Sequence, residues 1–374
     1  MANLQSTTFS QTGFITLPSG TNAQRPTATT GMLRFNNQSG TDLLEFYDGT
    51  NWRPVTGYSA GTVGTGGQTI SYTNSGIVHI FSNTGSHTFT PAFTGTVQVL
   101  VVGAGGGSGY DWAGGGGGGG VIFNRAFPVS SGTAYPVTVG TGGTNNPGGW
   151  STQAFSGGNS VFSTITANGG GGSGSWSYPT NGPRRGAGNE GLPGGSGGGG
   201  GNTGDGTDSR LRVREGDGLV GQGYPGGSGV RFNTSTDNQH LGGSGGGAGG
   251  RGMDACDERY SENNNLSGGP GRATNILEGT LYFGGGGGGG AHLGCTNDTN
   301  SGGIGGGGGG SIYHGAPNRP TDARRGIGGG MSLNNGQPGQ PYAVGGSGGT
   351  NTGGGAGGGQ HGNSGGPGVV IIKY

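Results

Sequence analysis

Apolar residues in this chain fall in short alternating segments, and long stretches of glycine separate them. Gly31–Asn36 reads Gly-Met-Leu-Arg-Phe-Asn, residues 37–40 supply turn residues, and Leu43–Tyr47 supplies a return segment. This pattern predicts a β-hairpin, with a further tight turn at Asp48-Gly49 before Trp52. A hairpin this small is marginal in water, so Phe35, Phe46, Tyr47 and Trp52 need partners. Between residues 54 and 95, Ser71–Thr73, Ile77–Phe81 and Thr88–Thr90 predict further strands. Val97–Val102 and Val369–Ile372 are apolar and rich in β-branched residues, and they bracket the glycine-rich region. They are expected to pair and close it. Val121–Phe123 and Tyr135–Val139 predict two more strands.

Composition changes this picture in one respect. The chain has 374 residues, of which 107 are glycine, and only 27 % are hydrophobic. An ordinary globular domain has roughly 7 % glycine and about 45–50 % apolar residues. Hydrophobic burial therefore cannot hold the whole chain, and either disorder or backbone hydrogen bonding must account for the rest. Disordered chains usually carry a large net charge and few aromatics. Here 17 basic residues balance 17 acidic ones, and 12 Tyr, 13 Phe and 4 Trp are interspersed. Residues 1–98 hold 13 of the glycines, which marks a compositional boundary.

The glycine runs lie at 114–120, 197–201, 284–290, 305–310 and 353–359, the last interrupted by Ala356. Bulky residues flank them, such as Trp112 before the first and Leu281-Tyr282-Phe283 before the third. That placement argues for registered packing over a flexible linker. Glycine in polyproline-II geometry has three residues per turn and no internal hydrogen bonds, so its N–H and C=O groups point outwards. Several such rods packed together satisfy one another, and the missing side chains allow close approach. There is no Gly-X-Y period, which excludes collagen. The fold class expected is mainly β with a non-regular polyglycine-II bundle. An N-terminal β-hairpin module (1–60) leads through a β-rich connector (61–95) to a glycine-rich sandwich (96–374) closed by the terminal strands.

Several chemistries are excluded by the residues present. A balanced charge argues against nucleic-acid binding. Residues 1–10 lack the features of a secretory signal, and no apolar run approaches the ~20 residues of a membrane span. Val99–Gly109 imitates a dinucleotide fingerprint, but Tyr110-Asp111-Trp112-Ala113 and seven glycines follow it where a helix would be required. Lys373 is the single lysine, which rules out a P-loop and makes a lysine Schiff base implausible. The six histidines are scattered, with no His-Glu-x-x-His spacing. The acidic segment Met253–Glu262 reads as a solvated loop, with cation binding or sugar hydrolysis as the lesser readings. No cofactor or metal is expected. Cys256 and Cys295 are compatible with a disulfide or with two free thiols.

Leu17–Pro26, Thr30–Asn36 and Leu44–Trp52 resemble a motif of phage tail fibres and related appendages. Val97–Gly107, the run at 114–120, Tyr135–Gly140, Gly157–Ser160 and Gly365–Tyr374 look like the glycine-rich domain of such appendages. The run-and-loop layout is also similar to the tip adhesins of T-even-like phages, although those lack an N-terminal fibre-like module. The resemblance implies a non-enzymatic receptor-binding protein on the virion, with variable loops on a polyglycine scaffold. It also implies a homotrimer formed mainly through residues 1–95. Expected partners are other tail or baseplate proteins and a host surface glycan or outer-membrane protein. No membrane insertion is expected.

The loops that combine rings with guanidinium groups are the candidate recognition sites. One holds Trp176, Tyr178, Arg184 and Arg185. A second holds Arg210, Arg212 and Arg214, alternating as in a strand. A third holds Tyr313, His314, Arg319, Arg324 and Arg325. Each residue could equally be an ordinary solvated turn position. The competing reading is a purely structural fibre or capsid decoration without receptor contact. An ice-binding bundle would need regular Gly-x-x spacing and a flat Thr/Ala face, which the sequence lacks. A depolymerising enzyme would reveal itself by releasing sugar.

Overall fold

The computed structural model describes residues 17–38, 43–54, 63–72, 76–146, 152–176, 190–202, 212–233, 238–255, 265–292, 300–313, 326–340 and 344–374. The chain divides into two compact units, Met1–Val63 and Gly64–Tyr374.

The first unit is a sheet of β1 (Ser19–Gly20), β2 (Leu33–Asn36), β3 (Leu43–Tyr47) and β4 (Trp52–Pro54), hydrogen-bonded in that order. The predicted hairpin is β2–β3, with Leu33 opposite Phe46 and Phe35 opposite Leu44. Alternation then sends Arg34, Asn36 and Glu45 to the other face. That polar face is the covered one. Glu45 accepts bonds from Arg25 Nε (3.1 Å) and Arg34 Nη1 (3.0 Å) at one oxygen. Its other oxygen accepts from Arg25 Nη2 (2.7 Å) and Asn36 Nδ2 (3.2 Å). The Arg25 hydrogen bonds, reinforced by Asn36 and Arg34, hold the Glu45 carboxyl below the usual range despite its burial.

The second unit begins with β5 (Gln68–Tyr72), β6 (Gly76–Phe81), β7 (Gly85–Phe89), β8 (Gly95–Val102), β9 (Val121–Val129), β10 (Tyr135–Val139), β11 (Ser160–Phe162) and β12 (Ile165–Ala167). Then come β13 (Arg212–Val213), β14 (Gly229–Asn233), β15 (Asn238–Leu241), β16 (Arg272–Thr274), β17 (Leu281–Phe283), β18 (Ala291–His292), β19 (Ile312–Tyr313) and β20 (Val369–Lys373). The expected pairing of the two bracketing strands is present: β20 lies between β6 and β8, with Val370 opposite Val101 and Ile371 opposite Leu100. The sheet β5-β6-β20-β8-β9 faces the sheet β12-β11-β10-β7 across Phe81, Phe89, Val99, Val137, Phe162 and Ile372. On its other side Leu100, Val121, Ile371 and Phe283 form a second core with Ile276 and Leu277. Residues 64–95 therefore belong to the glycine-rich unit and are not a separate connector. Their strands pair within that unit, β6 with β20 from the far end of the sequence and β7 with β10.

A buried histidine ties this base together. A carbonyl can only accept, so His79 Nδ1 donates to Gly66 C=O at 2.7 Å. Its Nε2 then accepts from the Tyr374 hydroxyl at 2.9 Å, whose oxygen accepts the Gly64 N–H at 2.9 Å. Burial pushes the His79 pKa down, against the opposing pull of the Gly66 carbonyl, and pushes that of Tyr374 up.

Strands of the base run directly into glycine rods: β8 into 103–109, 114–120 into β9, and β12 into 168–176. Rod 114–120 is completely buried and its bonds repeat every three residues. Gly114, Gly117 and Gly120 donate to Gly174, Gly171 and Asn168; Gly115 and Gly118 donate to Gly243 and Gly246; Gly116 and Gly119 donate to Ala356 and Gly353. Its carbonyls accept from Gly103 and Gly106, from Ser196 and Gly199, and from Gly287. Each step of one residue turns the N–H towards a different neighbour, as three residues per turn requires. Six rods surround this one, and side chains would hold them apart. Rod 284–290 is enclosed in the same way by 113–116, 266–269, 305–308, 242–248, 300–303 and 355–358. Both long runs are thus the interior of a polyglycine-II bundle. Gly284 also turns from β17 into its rod at φ +71°, where a side chain is disfavoured.

Candidate functional site

The rods have two distinct ends. At the base, Gly103, Gly120, Asn168, Gly353 and Gly284 lie in one linked layer beside the sandwich. At the tip, Gly290 donates to Ala113, Gly242 to Gly290, Gly114 to Gly174, Gly174 to Gly199, and Ser311 to Gly358. The chain enters this unit at the base side, where Gly64 bonds Tyr374.

Eight segments lie outside the described residues between 146 and 344: 147–151, 177–189, 203–211, 234–237, 256–264, 293–299, 314–325 and 341–343. All eight are anchored at the tip. Trp176 follows Gly174, Asn202 follows Gly199, Gly242 follows β15, and His292 follows Gly290. Tyr313 follows Ser311, whose hydroxyl donates to Gln340 C=O (2.8 Å). Asn145 donates to the Tyr110 hydroxyl (2.8 Å), and Ser175 Oγ donates to Thr152 C=O. Ala255 donates to Ser228, and Gly289 to Leu266. The sheet β13-β14-β15-β18-β19 joins many of these anchors, over a small core of Val230, Leu241, Leu266, Ala291 and Ile312.

Rings line the same end. Trp112 packs on His292 with centroids 5.2 Å apart, and His292 on His240 at 5.6 Å. Tyr110 meets His361 edge-on at 6.1 Å. Register places His240 opposite His292, and His292 opposite Tyr313. Asp111 and Trp112 both have positive φ, 60° and 57°, a strained conformation for residues with side chains. Asn202 Nδ2 donates to both of their carbonyls at 3.0 Å, and Asn202 Oδ1 lies 2.8 Å from His240 Nδ1. The turn that starts the central rod is therefore fixed by a neighbouring rod. Sequence reasoning missed Trp112, Asn202, His240 and His292. Their signal was position, because each stands within three residues of a glycine run or a β–rod junction.

The sequence candidates divide. Trp176 is described and is buried, with 9 % of its surface exposed; its backbone N–H donates to Tyr110 C=O. It packs at the rod end, where the sequence pattern suggested an open loop ring. Arg212 lies in β13, exposed, and donates to Ser228 Oγ at 2.8 Å. Arg214 is exposed beside Asp217 at 3.2 Å. Tyr313 is placed in β19. Tyr178, Arg184, Arg185, Arg210, His314, Arg319, Arg324, Arg325, Cys256 and Cys295 lie outside the described residues. Of the acidic segment, Asp254 accepts from the Ser228 N–H (2.7 Å) and hydroxyl (3.1 Å) and pairs with Arg251 (3.0 Å), which also pairs with Glu215. Among the described residues, no cluster of three His, Cys, Asp or Glu is disposed to hold a metal, and no helix is long and apolar enough to cross a membrane. The dinucleotide-like segment enters rod 103–109 with no helix after it.

The model of a family described as a glycine-rich domain matches residues 81–374. The chain belongs to this glycine-rich domain family. No curated protein matches the chain. The glycine-rich domain match opens at Phe81 in β6 and spans β7–β20, taking in all of the rods, the tip sheet and most of the base.

Proposed function

We propose that this glycine-rich domain protein is an attachment protein of a bacteriophage virion. In this reading it binds the host surface through the segments at its tip, without turning over a substrate. The observation that carries the reading is the common origin of those eight segments at one end of a bundle held by backbone bonds. The rods bond one another through backbone N–H and C=O groups of described residues, which would let segment sequence change while the scaffold is kept. Binding residues concentrate on loops positioned by a rigid scaffold. The resemblance of residues 17–52 to tail-fibre motifs suggests the virion and a role of the first unit in joining tail or baseplate proteins. Arg184, Arg185, Arg210, His314 and Arg319 offer forks and rings for carboxylate or phosphate groups of a surface glycan.

The test is adsorption of the labelled full chain to a panel of bacterial strains, with the released sugar assayed in parallel. The reading expects saturable binding to particular strains and no sugar release. Binding to no strain would favour a purely structural fibre or decoration protein, and sugar release would make the protein a depolymerase.

A further inference from the structure

An asparagine followed by glycine can be attacked by its own chain. The backbone nitrogen of the next residue reaches the side-chain Cγ through a five-membered ring, and glycine places no Cβ in the way. The sequence holds three such steps, Asn168-Gly169, Asn181-Gly182 and Asn335-Gly336. The second lies outside the described residues, and the structure treats the other two differently.

Asn168 stands where β12 runs into its rod, and its neighbours hold it. Its N–H donates to Gln222 Oε1 (2.7 Å), its side-chain oxygen accepts from Gln222 Nε2 (3.2 Å), and its C=O accepts from Gly120. The Gly169 N–H, whose nitrogen would attack, donates to Asn159 Oδ1 at 2.9 Å. Asn335 closes a turn between the extended segments 326–330 and 336–340, and residues 330–335 are all exposed or half-buried. Asn334 beside it donates to Thr350 C=O at 2.7 Å, but the Asn335 amide makes no hydrogen bond among the described residues. Met331 in the same turn holds φ +60°, a strained conformation for a residue with a side chain. One bond restrains the attacking nitrogen, from the Gly336 N–H to Gly329 C=O at 3.0 Å. Opening a strained surface turn costs far less than opening an interior layer.

We propose that Asn335 is a site of spontaneous covalent modification, which converts it to aspartyl and isoaspartyl forms. The Gly336 nitrogen bonds to Asn335 Cγ, the Cγ–Nδ2 bond breaks, and Nδ2 leaves as ammonia with the Gly336 proton. Water then opens the cyclic imide at either carbonyl. One product carries an ordinary aspartyl side chain. The other routes the backbone through the former side chain and lengthens it by one carbon. Either product adds a negative charge to a chain whose 17 basic and 17 acidic residues balance. The lengthened backbone would enter segment 336–340, whose Gly336, Gln337 and Gly339 N–H groups bond Gly329, Ser347 and Gly326. The inference stands apart from the attachment reading and does not depend on it.

Peptide mapping by mass spectrometry tests it, on the full folded chain incubated in warm alkaline buffer made with heavy-oxygen water. Heavy oxygen is expected at residue 335, in separable aspartyl and isoaspartyl peptides, at a rate at least about tenfold above that at 168. In the denatured chain the two sites are expected to react at similar rates, so that folding and not local sequence sets the difference. Asn335→Gln is expected to lose the label at that position. No label at 335 in the folded chain would overturn the proposal, and so would equal labelling at 335 and 168.

Discussion

Gly287 donates its N–H to the carbonyl of Gly116 at 2.9 Å, which makes the two seven-glycine runs direct neighbours. A Cβ on Gly287 would overlap the carbonyl of Ala356 on a third rod. Neither neighbour can retreat, because each bonds further rods. Gly287→Val is therefore expected to cost more than ~4 kcal/mol and to abolish the cooperative melting of the second unit. Gly132→Asn is the control: Gly132 sits at φ +74°, and a Cβ there would meet nothing within 4 Å, while Asn tolerates that conformation. Its thermal midpoint is expected to move by only a few degrees. Equal midpoints for Gly287→Val and the unaltered chain would refute close rod packing.

Burial of Trp176 predicts a stability effect in place of a binding effect. Trp176→Ala should cost about 3 kcal/mol, as truncation of a buried aromatic does. Arg214→Ala, at an exposed ion pair, should stay within about 0.5 kcal/mol. Denaturant melts of the two variants measure this directly.

Glu45 gives the first unit a defined acid limit. Its folded pKa lies below the ordinary carboxylate value of 4.5, so the unfolded chain binds the proton more tightly. The stabilisation is complete above about pH 5 and is lost as pH falls through the lowered pKa. Acid titration followed by the fluorescence of Trp52, which lies 5.8 Å from the Arg34 guanidinium, should show this loss below pH 4.5. Glu45→Gln should reduce that pH dependence, leaving the part due to Asp48, whose pairing with Arg53 lowers its pKa to about 2, and should destabilise the unit at pH 7, because Arg34 is left buried without its carboxylate.

His79 sets a different window for the second unit. Burial lowers its folded pKa below the ordinary 6.5, so the neutral ring is the folded form. Its contribution is complete above about pH 7 and falls as pH drops below 6.5 towards the lowered pKa. The thermal midpoint should therefore decline between pH 7 and pH 5, and His79→Gln should flatten that slope. An intact chain with no decline across this range would exclude the neutral, doubly hydrogen-bonded ring.

The sequence made the bundle legible because glycine runs with bulky flanks have few other packed solutions. It also made Val97–Val102 and Val369–Ile372 legible as partners, since both are apolar on either face and need burial on both sides. The unit boundary was not legible. The glycine content rises near residue 98, whereas the chain divides at Val63, because β6 pairs with β20 across some 290 residues of sequence. Nor was the direction of the first sheet legible. Leu33-Arg34-Phe35-Asn36 alternates cleanly, but alternation does not say which face is covered, and Arg25 with Glu45 covers the polar one. At the tip, the composition of the loops drew attention to Trp176, while the residues that fix the rod ends, Asn202 and His240, stood alone in sequence and met only through the packing of a rod end against β15.

In the proposed reading, a backbone-bonded bundle carries recognition on segments that its stability does not need. Replacing 177–189 and 314–325 together by Gly/Ser-rich sequence of equal length tests it most directly, with melting and cell adsorption measured on the same preparation. A thermal midpoint within a few degrees of the unaltered chain is expected, with adsorption reduced at least tenfold, about 1.4 kcal/mol. Undiminished adsorption, or collapse of the melting transition, would contradict it.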